Sequence, residues 1–229
     1  MLLLELDPQL LRKLRDEVLF NWFPRGVDYY NGLALTDYRE LVTAAQDAVN
    51  DAYYNRQLAG SVKEQIYDIL GSKQIMLQDG GHLRAARPIV SKLENVGWHR
   101  EGMYGASPGE YNFWVPLSGV TTENSPLYIP GSDKIPDKDL TVMLAEGDPP
   151  VPANRIGLIP RPAIIVKGVD YSTAEPFKVP YGKAAFFPGS LIHGAASNRT
   201  ENIRFSFDFR VCAKEKLAPD RQAYYIDLG

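Results

Sequence analysis

Cysteine is almost missing from these 229 residues; Cys212 stands alone. One thiol closes no internal disulfide, which sets aside the stapled secreted scaffolds and fits a reducing compartment such as the cytoplasm. No apolar run approaches the roughly 20 residues of a membrane span. The opening MLLLELDPQLLRKLRDEVLF carries acids inside its apolar stretch, where a secretory leader needs an uninterrupted core. Charge of one sign is not concentrated either. The 25 Lys and Arg against 28 Asp and Glu leave a formal charge of -3, scattered along the chain, with no basic stripe of the kind that tracks phosphate backbones. Nucleic acid and membrane are therefore not expected partners. There is no internal repeat and no low-complexity tract.

What is present suffices for a core: 45% apolar residues and 11% aromatics in a chain sized for one domain. The first seventy residues read as helices. PQLLRKLRDEVLF repeats apolar groups at three and four, TDYRELVTAAQDAVNDAYYNRQL opens with a Thr or Asp cap, and SVKEQIYDIL begins with the capping-box pair Ser61 and Glu64. From residue 72 the texture changes to short β-branched and aromatic runs parted by Gly, Pro, Asn and Ser: KQIMLQ, RPIV, YNFWVPL, PLYI, AIIVKG, KAAFFPG, SLIHGAA and IRFSFDFRV. Helices first and strands afterwards predict an α+β, mainly β, fold in which a helical layer covers an antiparallel sandwich or jelly roll. The expected division of the single domain 1–229 is a helical layer at 1–71, a jelly-roll core at 72–213 and a C-terminal tail at 214–229. Residues 131–162 are proline-rich and long for a loop, which reads as a lid or interface segment or, equally, as an inert excursion.

The run IRFSFDFRV, residues 203–211, poses a chemical question. In an extended strand Ile203, Phe205, Phe207, Phe209 and Val211 share one face, while Arg204, Ser206, Asp208 and Arg210 share the other. The first row needs burial. The second is a row of two guanidiniums, a carboxylate and a hydroxyl, which fits either a solvated sheet face or the wall of a polar cavity. Elsewhere GWHREGMYG sets Glu101 two places after His99, so that in an extended segment imidazole and carboxylate leave on the same side. His193 follows far downstream in SLIHGAASN. Two histidines and one carboxylate are the ingredients of a facial triad for iron(II), which leaves coordination positions open. The same residues also fit a surface ion pair at His99 and a core histidine at 193, and the spacing alone leaves both readings open. Arg204 lies eleven positions after His193, and an Arg-x-Ser pair can grip a carboxylate through the guanidinium fork and the hydroxyl.

Taken together these stretches resemble a known family. His99-x-Glu101, Trp114 within YNFWVPL, TENSPLYIPGS, His193-Gly194 and Arg204-x-Ser206, in that order over residues 72–211, are similar to the phytanoyl-CoA dioxygenase-like, iron(II)/2-oxoglutarate-dependent oxygenases. The resemblance implies a double-stranded β-helix (jelly roll, cupin-like). It implies iron(II) held by His99, Glu101 and His193, and Arg204, helped by Ser206, pairing with the distal carboxylate of 2-oxoglutarate. Trp114 is expected to line the cosubstrate pocket and Arg84 to contact cosubstrate or substrate. The chain departs from the pattern twice. Glu101 stands where the family has mostly aspartate, its extra methylene moving the carboxylate outward by about 1.5 Å. Ala195 stands where a small hydroxyl residue is usual.

The expected activity is that of an iron(II)- and 2-oxoglutarate-dependent dioxygenase that oxidises, most simply hydroxylates, a C–H bond of a polar small molecule. O2 is the second cosubstrate, and succinate and CO2 are released. Natural-product or carbohydrate biosynthesis is the setting the resemblance suggests, with a monomer or homodimer as the working form. Glu101 argues against a halogenase, which needs the acid's place vacant for halide. The alternative from another class is a non-catalytic cupin-type metal-binding protein or an isomerase, since fold alone fixes no chemistry. The substrate pocket is expected to be rimmed by Arg84, Arg87, the residues around Tyr104 and the 131–162 loop, with Tyr111 and Asn112 within reach, although ordinary strand packing explains Tyr111 equally well. His82, beside a Gly-Gly turn, reads as a structural or exposed residue, with a substrate contact or an alternative metal ligand as the functional readings. Asp208 and Arg210 read as a pair near the strand's end, and Cys212 as a small buried hydrophobe.

Overall fold

The structure, a computed structural model, describes residues 1–88, 97–104, 106–144 and 163–229. Its centre is the strand whose sequence alternates so strictly. Strand β11 (Arg204–Ala213) runs antiparallel to β4 (Tyr111–Pro116) on one side, and on the other to β3 (His82–Ala86) and then β2 (Ile75–Gln78). The sheet continues past β4 through β9 (Lys183–Pro188) to β1 (Leu2–Glu5), and past β2 to β12 (Tyr225–Asp227). Register fixes the faces. Phe207 opposes Leu83 and Val115, and Phe209 opposes Phe113, so one face is wholly apolar.

That face meets the helical layer: α1 (Pro8–Asp16), α2 (Val27–Asn31), α3 (Leu35–Asp51), α4 (Tyr54–Ser61) and α5 (Lys63–Leu70). Leu11, Leu14, Ala45, Val49, Leu58 and Ile66, spaced by helical turns, form one cluster with Phe113, Phe186, Phe205, Phe207 and Phe209. Phe207 and Phe209 are fully buried, and each contributes on the order of 1.5–3 kcal/mol by leaving water. Phe23 seals the layer against Phe205 with ring centroids 4.8 Å apart.

Three local expectations give way. Asp7 caps α1 as its periodicity requires, accepting from the N–H of Gln9 and Leu10, but the first turn of α3 begins at Leu35 and contains Thr36 and Asp37, which cap nothing. The long helical run then breaks at Tyr53, the one non-glycine residue with positive φ among the described residues (φ 53°), between α3 and α4. Ser61 ends α4, bonding back to the Leu58 carbonyl, so Ser61 and Glu64 form no capping box. Two strands also lie where none was expected: β1 inside the helical third and β12 inside the tail.

A smaller sheet orders β10 (His193–Gly194), β5 (Leu127–Tyr128) and β8 (Glu175–Pro176). It extends through an antiparallel bridge between His99 and His193, and the Ile165 N–H then donates to the Trp98 carbonyl at 2.7 Å. Ile165 belongs to β7 (Ala163–Lys167), paired with β6 (Thr141–Leu144), so part of the 131–162 run is a strand; residues 145–162, and 89–90 of the expected RPIV strand, lie outside the described residues. Trp114, Ala185 and Phe187 from the inner face of the larger sheet pack with Phe177, Val179 and Leu191. No helix among the described residues is long and apolar enough to cross a membrane.

Candidate metal centre

The polar row of β11 does not face water. Arg204 is 4% exposed, Ser206 0% and Asp208 7%, which rules out a solvated sheet face. The row lines the inner side of the sheet, where each of its members must find a partner or remain costly.

At one end of it the three metal-ligand candidates converge. His99, Glu101 and His193 each offer a ligand atom, and the three atoms lie within 4.8 Å of one another; among the described residues no other such group occurs. Main-chain geometry sets two of them. His99 and His193 exchange N–H to carbonyl bonds at 2.9 Å, and Gly194 permits the approach, since a Cβ there would stand 3.1 Å from the Gly97 carbonyl oxygen. Glu101 follows in a 3-10 turn (Glu101–Tyr104), its N–H donating to the Gly189 carbonyl at 2.8 Å.

The ring nitrogens are assigned by what surrounds them. Nδ1 of His99 lies 2.8 Å from the Gly97 carbonyl and Nδ1 of His193 lies 2.9 Å from the Leu191 carbonyl. A carbonyl only accepts, so each Nδ1 carries a proton, which leaves Nε2 as the nitrogen of each ring turned toward Glu101. This outer shell of backbone acceptors is what metal-binding imidazoles use. The two Nε2 atoms lie 3.8 Å and 3.4 Å from Glu101 Oε1, and Oε1 has no hydrogen-bond partner among the described residues. Burial, with the neighbouring His193 adding, lowers the His99 pKa, so the ring is neutral, as ligation requires. Burial alone would raise the Glu101 carboxyl, but the Arg210 guanidinium together with His193 and His99 outweighs it, and the carboxyl is held well below the usual range. Two imidazole nitrogens and a carboxylate oxygen gathered around one point are a donor set that fits a divalent cation such as iron(II).

Further along the row Arg204 donates from Nη1 to the Asn124 carbonyl at 2.6 Å, while its Nε and the Ser206 hydroxyl have no partner among the described residues. Burial, with Arg84 adding, lowers the Arg204 pKa to about 10, still charged at neutral pH. A buried guanidinium without a carboxylate, beside an unsatisfied hydroxyl, fits a carboxylate-bearing ligand.

The remaining sequence candidates fall as follows. Trp114 lies on the inner face opposite Asp208 and stacks on Phe177 at 5.9 Å. Arg84, opposite Ser206, is half-exposed and bonds Asp208 through Nε at 2.9 Å. Arg87 is not a rim residue: it is buried and donates to the carbonyls of Tyr30 and Leu33, tying the helical layer to the sheet. His82 is buried rather than exposed, with its Nε2 3.5 Å from the Gln78 amide. Cys212 is fully buried, as a small hydrophobe should be. Arg210 and Asp208 are more than an end-of-strand pair. Arg210 bridges Asp208 at 3.1 Å and Glu101 at 2.7 Å, a contact the sequence signalled only by placing a second arginine on the inner row. Arg100, between two ligand candidates, turns the other way and clamps the Ser132 and Ile135 carbonyls and the Asp137 carboxylate.

Comparison with known proteins follows the same lines. Among curated proteins none matches the chain in sequence. Solved structures of a non-heme monooxygenase, ThoJ, are similar in fold. The apo form is 16% identical over 91% of this chain and 71% of that chain, with a TM-score of 0.59. The nickel complex is 14% identical with the same coverage and a TM-score of 0.54. The family described as Phytanoyl-CoA dioxygenase (PhyH) matches residues 28–206, which takes in both histidines, Glu101, Arg204 and Ser206. This chain belongs to the phytanoyl-CoA dioxygenase (PhyH) family and is an oxidoreductase that uses iron(II) and 2-oxoglutarate.

Proposed function

We propose that the enzyme hydroxylates a C–H bond of a polar small molecule, with 2-oxoglutarate and O2 as cosubstrates and succinate and CO2 as products. The observation that carries the site assignment is Glu101 Oε1, buried, without a hydrogen bond among the described residues, and faced by the Nε2 atoms of two imidazoles. On this reading His99, Glu101 and His193 hold the iron and are the catalytic residues. Bound iron(II) supplies the oxidising chemistry, coupling decarboxylation of 2-oxoglutarate to oxidation of the substrate.

The chain's own part is placement. Gly97 and Leu191 carbonyls keep both imidazoles in the ligating tautomer. Arg204 and Ser206 receive the distal carboxylate of 2-oxoglutarate; a guanidinium already desolvated loses no further hydration when the anion arrives, which favours binding. Trp114, packed between the two sheets, closes the pocket wall beside the cosubstrate and excludes water. Among the described residues Arg84 is the one arginine of the inner face with a substantially exposed side chain (41%), which suits contact with a polar or anionic substrate.

The same reading takes the two sheets as facing walls of a double-stranded β-helix within a single domain. Residues 1–71 form mainly its helical cover, 72–213 its core and 214–229 its tail, with β1 and β12 extending the larger sheet. The cytoplasm suits both a ferrous ion and the unpaired Cys212. A non-catalytic binding module has no use for a buried cation beside an unsatisfied hydroxyl.

Anaerobic titration with iron(II) and then 2-oxoglutarate tests the assignment. The expected result is the weak visible charge-transfer band of the 2-oxoglutarate chelate, lost in Arg204→Ala. No band in the parent, or an undiminished band in Arg204→Ala, contradicts it.

A further inference from the structure

Glutamate occupies the position where the family pattern has mostly aspartate, and the surroundings are fitted to the longer acid. Gly189 lets the chain pass close to it: a Cβ there would stand 3.0 Å from the Glu110 carbonyl oxygen, 3.1 Å from Glu101 Cβ and 3.3 Å from Cγ. Arg210 fixes the far end. Its Nη2 donates to Glu101 Oε2 at 2.7 Å, whereas Oε1 is the oxygen turned toward both imidazoles. The guanidinium is itself held, since Nη1 donates to Asp208 Oδ2 at 3.1 Å and Asp208 accepts from Arg84 at 2.9 Å. With an 11% exposed side chain, Arg210 has little freedom to swing away.

The number of oxygens given to the metal matters. A carboxylate can bind through one oxygen or both. A facial triad serves oxygenases because it leaves positions open, and a second carboxylate oxygen would take one of them from a cosubstrate. Glutamate has one more torsion than aspartate with which to turn its second oxygen inward. We propose that Arg210 is the positioning residue that makes Glu101 a one-oxygen ligand: by occupying Oε2 it leaves Oε1 alone for the metal and keeps the remaining positions open. The inference rests on the metal reading of the triad given above.

Two measurements test it. In a crystal structure of the parent soaked with nickel(II), we expect Oε1 alone at the metal and Oε2 still on Arg210; both oxygens at the metal with the Arg210 contact broken overturns the assignment. In solution, cobalt(II) serves as the probe. Arg210→Met should change the cobalt absorption spectrum and weaken 2-oxoglutarate binding to the cobalt-loaded protein by roughly 10–100-fold, and Arg210→Lys, which keeps a donor, should move both back toward the parent. A merely structural arginine would lower the melting temperature without altering the spectrum. A folded Arg210→Met with the parent's spectrum and cosubstrate affinity overturns the proposal, and where that variant does not fold the nickel structure of the parent decides. A parent that takes up neither metal defeats the triad reading and this inference together; metal bound through both oxygens defeats only the inference.

Discussion

His99 and His193, far apart in sequence, meet as backbone neighbours: each N–H donates to the other's carbonyl at 2.9 Å, and the two rings lie 4.3 Å apart. The spacing of the two residues is thus set by a main-chain bridge within a sheet, while the Nδ1–carbonyl contacts orient the rings upon it.

Gly194 is where the bridge can be pried open. A methyl group there would meet the Gly97 carbonyl oxygen at 3.1 Å, the Gly97 carbonyl carbon at 3.2 Å and the Trp98 nitrogen at 3.3 Å, all backbone atoms. Gly194→Ala should weaken cobalt(II) binding by roughly tenfold, measured by calorimetry, while the far-ultraviolet circular dichroism stays as in the parent. Parent affinity in the variant would show that the spacing of the histidines is set elsewhere.

On the proposed reading Arg204 is costly to the protein alone and useful with 2-oxoglutarate bound. Arg204→Met removes a buried cation that bonds no carboxylate among the described residues and leaves one orphaned carbonyl, that of Asn124. These effects oppose one another, so stability without ligand should change by no more than about 1 kcal/mol. The rise in melting temperature that 2-oxoglutarate gives the metal-loaded parent should disappear. A retained rise would mean that the distal carboxylate binds elsewhere.

Asp208 carries the opposite burden, holding two arginines at once. Burial alone would raise its carboxyl, but Arg84 and then Arg210 hold it well below the usual range. Asp208→Asn leaves the buried Arg210 short of a counter-charge and should lower the free energy of unfolding by about 3 kcal/mol. Arg84→Gln, which removes a half-exposed partner, should lower it by no more than about 1 kcal/mol. Urea denaturation compares them, and equal losses would contradict the burial argument.

How much of this could be read from the sequence depends on the range of the interaction. The alternation in residues 203–211 was legible because a strand's period of two needs no tertiary information, and its polar row marked the inner face correctly. The triad was legible as ingredients, and the resemblance to a family supplied their meeting point. The Arg210–Glu101 contact was not, because a link between side chains so far apart in sequence leaves no local pattern. LLLEL at the start merges into the helical periodicity that follows, which hid β1, and Tyr53 breaks a helix with no Gly or Pro to announce it. His82 misled through its Gly-Gly neighbours. Gly81 is there because a Cβ would strike the Phe207 ring at 2.5 Å, a packing demand that no turn rule contains.

His82 also gives the fold a signature in pH. Burial, with Arg84 adding, lowers its pKa to about 4, against about 6.5 in an unfolded chain. Between those values the unfolded chain binds a proton that the folded one refuses, so stability falls as pH drops through that window. From about pH 7.5 to about pH 5 this loss amounts to about 2 kcal/mol. In metal-free protein His82→Gln should therefore lose about 2 kcal/mol less than the parent over the same interval. Identical pH dependence in parent and variant would place the titration elsewhere.

The central claim is that His99, Glu101 and His193 meet at one metal ion. Anaerobic equilibrium dialysis against iron(II), followed by metal analysis, tests it most directly. The account predicts one iron per chain in the parent and almost none in Glu101→Ala. A parent that retains no iron, or a Glu101→Ala variant that retains as much as the parent, would contradict it.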